Sequence, residues 1–167
     1  VLRSATAAGA ALRHLVGLGH RRLAYLGGPR GSWAAVERRD AVRRTSRATG
    51  VAITCIDLAT PTFEAAYDAV EQVVSSGATA VMAFNDQVAL GVLARLSVLG
   101  IGVPEQISIV GCDDVPMAAM VAPALTTIAM PVVEAGETAV RLLGTEECVQ
   151  MSGELVVRGS TGPAGRF

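Results

Sequence analysis

The sequence predicts an α/β protein built on a doubly wound parallel sheet, and three observations carry that prediction. Short apolar runs of strand length alternate with longer segments of helical periodicity from about Arg22 to Val115. The connections between them are short, and a glycine stands where each helix should stop. Parallel strands joined through helices need right-handed crossovers, which put helices on both faces of the sheet.

Taken in order, Ala8, Ala11, Leu12, Leu15 and Val16 give helical spacing from Ala5 to Leu18, closed by Gly19. Leu23 to Leu26 reads as a short buried strand ended by Gly27-Gly28-Pro29, and Ser32 caps a helix over Trp33 to Ala48 that stops at Gly50. Val51 to Leu58 is the next strand. Ala66, Tyr67, Val70, Val73 and Val74 mark a helix from Phe63 to Val74, ended by Gly77. Thr79 to Phe84 is again strand, and helix Gln87 to Leu99 stops at Gly100. Val103-Pro104-Glu105, extended before its proline, leads into strand Ile107 to Val110. The rhythm then changes to strand-like Leu125 to Met130, a helix from Val132 to Leu143, a last strand Glu154 to Arg158, and a tail, Gly159 to Phe167, that reads as disordered.

At 167 residues, 51% apolar and 17% charged, with no apolar run near membrane-spanning length, the chain has the composition of a soluble globular protein with one real core or two small lobes. The net charge is −1, all 14 basic residues are Arg, and nothing in that balance calls for nucleic-acid binding by this chain itself. Cys55, Cys112 and Cys148 are scattered without metal-type spacing and read as reduced thiols of a cytosolic protein. The Ala-rich opening is interrupted by Arg13 and His14 and makes a poor export signal. The chain opens on Val1, as expected of an excised fragment or an alternative start codon.

Ligands of open α/β sheets bind beyond the carboxyl ends of the strands. Asn85 and Asp86 follow one apolar strand there, and Asp113 and Asp114 follow another. Asp86 is read as an acidic helix cap, whereas the amide of Asn85, which both donates and accepts, is read as a ligand contact. Asp113 and Asp114 suit polyol acceptors better than a metal pair, because no further ligand set accompanies them; of the two, Asp114 is the structural one. Arg38, in the first turns of its helix, can clamp a hydroxyl pair or a carboxylate, while Arg39, Arg43 and Arg47 read as a solvated, ion-paired face. Gly27 to Ser32 lacks the Gly-Lys-Ser/Thr ending of a phosphate loop and reads as a tight turn. No His can be set beside Cys112 to make it a nucleophile.

His14-Leu15 with Leu18-Gly19-His20-Arg21-Arg22, then Gly28-Pro29, Phe84-Asn85-Asp86 with Ala89-Leu90-Gly91, Gly100 with Val103-Pro104, Ser108 with Gly111-Cys112-Asp113-Asp114, and Leu125-Thr126-Thr127-Ile128 follow one order and spacing. That series resembles the effector-binding region of the lactose-repressor/galactose-repressor (LacI/GalR) family of bacterial transcription regulators, over nearly the whole chain up to about Arg158. The resemblance implies a periplasmic-binding-protein-like (type I) fold of two α/β lobes with a sugar or nucleobase between them. By the same similarity Arg38, Asn85 and Asp113 match the family's effector-contacting residues, and helices Gln87 to Leu99 and Val115 to Val121 match its dimerising segments. Three departures stand out: Pro61 where a stacking aromatic is usual, leaving Phe63 or Trp33 to replace it; Cys112 where Tyr or Phe is usual; and Arg3-Ser4 in place of a pair often acidic at its first position.

The resemblance further implies that a helix-turn-helix, a hinge helix and the first part of the sensor domain precede Val1. Residues 1–20 are then expected to be a remnant of the first sensor lobe, 21–120 the second lobe, 121–144 a returning first-lobe segment, 145–158 a closing segment of the second lobe and 159–167 a tail. The two first-lobe pieces should expose apolar faces. The expected role is non-enzymatic, the effector-sensing and dimerisation region of a cytoplasmic DNA-binding regulator. Its partners would be a small polar effector, first of all a sugar, a second copy in a homodimer, and operator DNA only through a domain outside this chain, with no cofactor, metal or membrane. A solute-binding protein of the same architecture and a small α/β enzyme using Cys112 or the paired acids are the alternatives.

Overall fold

A computed structural model describes residues 1–165. In chain order its elements are β1 (Leu2–Arg3), α1 (Ala5–Gly17), β2 (Arg22–Gly27), α2 (Trp33–Thr49), β3 (Ala52–Asp57), α3 (Phe63–Ser75), β4 (Ala80–Ala83) and α4 (Asp86–Val98). They continue with β5 (Ser108–Val110), α5 (Pro116–Met120), β6 (Thr127–Ala129), α6 (Val132–Arg141), β7 (Met151–Ser152) and β8 (Glu154–Val156). The central sheet is parallel, in the order β3-β2-β4-β5. Single parallel bridges, Val110 to Thr126 and Asp113 to Ala129, carry it on to β6, against which β8 runs antiparallel.

Strands β2, β4 and β5 are buried on both faces, and the period of two along β2 and β4 sorts their side chains between two cores. Ala24 and Leu26 of β2 and Val81 and Ala83 of β4 face α3 and α4, packing with Val70, Val73, Val92 and Leu96. Leu23 and Tyr25, with Ala80 and Met82, face α1 and α2, packing with Leu12, Leu15 and Val42. Gly91 looks like a helix-weakening residue, but a side chain there would begin 2.2 Å from the carbonyl oxygen of Phe63, so only glycine lets α3 and α4 approach so closely.

The two-residue strands β1 and β7 pair in parallel and are too short to carry a sequence signal. Two expectations are corrected. The helical part of residues 1–20 does not carry an open apolar face: Ala7, Ala8, Ala11, Leu12 and Leu15 of α1 are buried against the sheet and α2, so α1 is one of its covering helices, while β1 pairs only with β7. The tail is not disordered as far as residue 165; its last two residues, 166–167, lie outside the described residues. The Ser160 carbonyl accepts from Ile109 N at 2.8 Å, its hydroxyl donates to Ile109 O at 2.6 Å, and Ala164 N donates to Leu18 O at 2.9 Å. A polar composition gave no hint that these groups complete the hydrogen bonding around β5. The two parts of the 121–144 segment also differ. Leu125 and Ile128 join the cores, while along and just beyond α6 Val133 and Leu143 are 73% and 78% exposed.

His20, fully buried between α1 and β2, knots this end of the sheet together. Its ring nitrogens meet Thr79 Oγ1 at 2.9 Å, Ser108 Oγ at 3.1 Å and the Gly162 carbonyl at 3.1 Å. Burial lowers its pKa from the ordinary 6.5, so the folded state holds it neutral while the unfolded chain protonates it. The stability this confers is complete above 6.5 and is lost as the pH falls below it. Thermal melts should therefore show a falling midpoint from pH 6.5 down to about 5, and His20→Gln should give a lower but flatter profile over that window.

Candidate functional site

The central sheet starts with β2 in the middle, places β3 on one side and β4 on the other, and so has its switch point between β2 and β4. A crevice for a ligand opens beyond the carboxyl ends of such a pair. The Gly27-Gly28 turn that leaves β2 is shaped by packing: a Cβ on Gly28 would lie 2.8 Å from the ring of Phe84, which leaves β4. The Arg38 guanidinium, brought over that ring by the second turn of α2, sits 4.8 Å from its centroid.

Arg38 also donates through Nη1 to the Phe84 carbonyl and lies, through Nη2, 3.5 Å from Asp113 Oδ1. Two of the residues expected to contact a ligand are therefore adjacent. The third, Asn85, sits at the same sheet edge but has a structural duty as well: its Oδ1 accepts from Val88 N at 2.9 Å and caps α4. Its amide nitrogen makes no protein hydrogen bond among the described residues and remains available as a donor. Asp113 keeps 43% of its side chain exposed against 11% for Arg38, so the carboxylate faces solvent while the guanidinium is largely covered. Partial burial raises the pKa of Asp113, and Arg38 and Cys112 oppose the rise.

Asp86 corrects its sequence reading. Asn85 is the cap, and Asp86 is fully buried, accepting from Thr127 Oγ1 and, at 2.9 Å, from Val115 N, while its own N–H donates to Cys112 O at 2.7 Å. Gly111 is the complement of this arrangement, since a side chain there would begin 2.2 Å from Asp86 Oδ1. Asp114 is structural as expected, paired at 2.7 Å with Arg158, whose guanidinium also donates to the Leu125 carbonyl. Asp113 and Asp114 have φ of 113° and 54°, a strained pair of the kind that collects at ligand sites. The stripe of arginines divides: Arg39 pairs with Asp57 at 2.5 Å, whereas Arg43 and Arg47 make no ion pair among the described residues. Trp33 is exposed beneath Arg3, and Phe63 stacks on Tyr67 with ring centroids 6.3 Å apart.

Sequence reasoning missed Glu37, Phe84 and Arg158 at this edge. Phe84 had a signal in the glycine across from it; Glu37 and Arg158 act through contacts distant in the chain and had none. Among the described residues no group of three or more His, Cys, Asp or Glu is placed to hold a metal, and no helix is long and apolar enough to cross a membrane.

Residues 12–161 match the periplasmic binding protein-like domain. The HTH-type transcriptional regulator MalR of Streptomyces coelicolor is 35% identical over 170 residues, covering 92% of this chain and 49% of that protein. The HTH-type transcriptional repressor PurR of Vibrio vulnificus is 32% identical over 160 residues, covering 89% and 48%. The chain thus spans about half the length of the curated relatives it matches. A LacI family transcriptional regulator from Bifidobacterium animalis superposes with a TM-score of 0.92 at 29% identity, covering 98% of this chain and 64% of that one. One from Enterococcus faecium with bound ribose gives 0.88 at 26% identity, covering 97% and 64%, and one from Arthrobacter in complex with lactose gives 0.85 at 29%, covering 96% and 65%.

Two outcomes follow from this geometry. Cys112 is buried and its thiol pKa is pushed up to about 12, so mass-spectrometric alkylation of the native protein should label exposed Cys148 first and leave Cys112 unmodified until unfolding. Asp86→Ala removes the acceptor of two buried donors, and denaturant melts should show a loss of about 2–4 kcal/mol.

Proposed function

The chain belongs to the periplasmic binding protein-like domain family in the form carried by LacI-family transcriptional regulators, and from that premise we propose that it is the effector-sensing region of such a regulator. The effector is a small polyol of the sugar class. Arg38, Asn85 and Asp113 form the polar side of its cleft: the Asp113 carboxylate accepts from two hydroxyls, the Asn85 amide nitrogen donates to a third oxygen, and Arg38 holds Asp113 in place. The single observation that carries this reading is the Arg38–Asp113 pair, 3.5 Å apart at the switch point of the sheet with the carboxylate turned outward. Relatives of similar fold crystallised with ribose and with lactose support the ligand class.

In this reading α1 belongs with the second lobe, α6 and the chain around it to the first lobe, and residues 145–158 return to the second. The regulator is a cytoplasmic homodimer that uses α4 and α5, whose Val98 and Met120 are 67% and 79% exposed, and it reaches operator DNA through a domain outside this chain. Ligand would favour one arrangement of the lobes over another through its different affinity for each. The role is non-enzymatic. Burial of Cys112, which pushes its thiol up to about 12 and leaves little thiolate, supports that over a thiol hydrolase.

Isothermal titration of a sugar panel that includes ribose and lactose, on protein carrying both lobes, tests the assignment. Asp113→Asn should weaken the sugar that binds by about 10–100-fold, the worth of hydrogen bonds to a charged acceptor. Wild-type affinity should hold at neutral pH and fall as the pH drops through the raised pKa of Asp113, because the protonated acid loses acceptor capacity. No saturable binding across the panel, or an unaffected variant, would remove Asp113 from the site.

A further inference from the structure

Next to Arg38 on α2 stands Glu37, and it looks the other way. Its carboxylate, with 11% of the side chain exposed, accepts from Arg3 Nη1 at 3.2 Å, Ser4 N at 3.2 Å and Ser4 Oγ at 3.1 Å. Ser4 is the residue before α1, yet it makes no side-chain cap to its own helix, and the first turn of α1 holds no acidic residue. Glu37 thus supplies, from another helix, the negative charge that the N-terminus of α1 favours and its own sequence omits. Arg3 lies over the Trp33 ring at 5.7 Å, so the opening turns of α2 grip the chain at Arg3 and Ser4 on one side and Asp113 through Arg38 on the other.

We propose that Glu37 is a positioning residue for the Arg38–Asp113 pair, and that the clasp it forms with Arg3 and Ser4 makes the geometry of that pair depend on the segment leading into α1. Two neighbouring residues of one helix turn cannot move independently, because the helix backbone ties their Cα positions. Anchoring Glu37 therefore fixes the depth and rotation of the turn from which Arg38 reaches Asp113. A pull on Arg3, which also belongs to β1 beside β7, is passed towards Arg38 through this carboxylate, with the Trp33 ring as a second hold on the same helix. The role deepens the cleft reading above and rests on it. It assigns a use to Arg3-Ser4, a cation and two donors set against the Glu37 carboxylate.

Asp113 reports on the clasp without any ligand, because the nearness of the Arg38 cation holds its titration down against the effect of burial. Asp86, Asp114 and Cys112 are the other ionisable groups close to it, and none touches Glu37. The experiment is a carbon-detected NMR titration of the Asp113 carboxyl in wild type, Glu37→Ala, Arg3→Ala and the double variant, with Arg38→Gln as reference. Glu37→Ala should raise the Asp113 midpoint in the direction of Arg38→Gln, by roughly half a unit or more. Arg3→Ala should raise it less, and the double variant should match Glu37→Ala alone, since both changes open one clasp. Arg3 is 42% exposed, so Arg3→Ala keeps the test usable if the Glu37 variant does not fold. An Asp113 midpoint unchanged in the folded variants overturns the proposal, as does strict additivity. Absence of sugar binding in the titrations above would instead strike the cleft reading and leave this measurement intact.

Discussion

The buried carboxylate of Asp86 is the interaction on which the rest of this edge depends. It stands at the first turn of α4, receives the Thr127 hydroxyl from β6 and the Val115 amide from the entry to α5, and its own N–H reaches the Cys112 carbonyl beyond β5. The loop from Cys112 to Val115 and strand β6 are thereby joined to the start of α4 at one residue. Burial raises its pKa, and the hydrogen bonds from Thr127 and Val115 oppose the rise, so this is a costly group kept in place by the donors around it. Gly111 leaves the space it occupies.

The two acids that follow are held by different cations for different ends. Arg158, from the chain beyond β8, locks Asp114 at 2.7 Å and ties it to the Leu125 carbonyl, which fixes the loop. Arg38, from α2, meets Asp113 at the longer distance of 3.5 Å and leaves it open to solvent. A firm pair beside a loose one is what a site needs if one acid is to hold the backbone while the other receives a guest. The two carboxylates take different partners in spite of their adjacency, on a stretch where both residues have positive φ.

Much of this was legible in the sequence because the signals were local. Alternating periodicity and stop glycines gave the sheet, its helices and their order, and the residues after each strand gave Asn85 and Asp113, since the carboxyl edge of a parallel sheet follows from topology alone. What stayed hidden depends on contacts across the chain. Asn85 takes the capping role that sequence context suggests for Asp86, and Asp86 is interior instead, because only the packing of Thr127 and Val115 makes that position dry. Ser160 looked like tail and is a buried partner of Ile109. Likeness to a two-lobed whole places residues 1–20 in the first lobe, whereas the apolar face of α1 is buried with α2 and the central sheet.

The left-handed backbone at Asp113 and Asp114 has a consequence for how such a cleft changes over generations. Most side chains are strained at positive φ, and Asn shares with Asp an unusual tolerance of it. The codons of Asp and Asn differ by a single base. One transition therefore exchanges an anionic acceptor for a neutral amide that also donates, with the main chain left where it was. In the proposed cleft, that single exchange at Asp113 would change which groups of a guest are matched while the loop that carries it keeps its course.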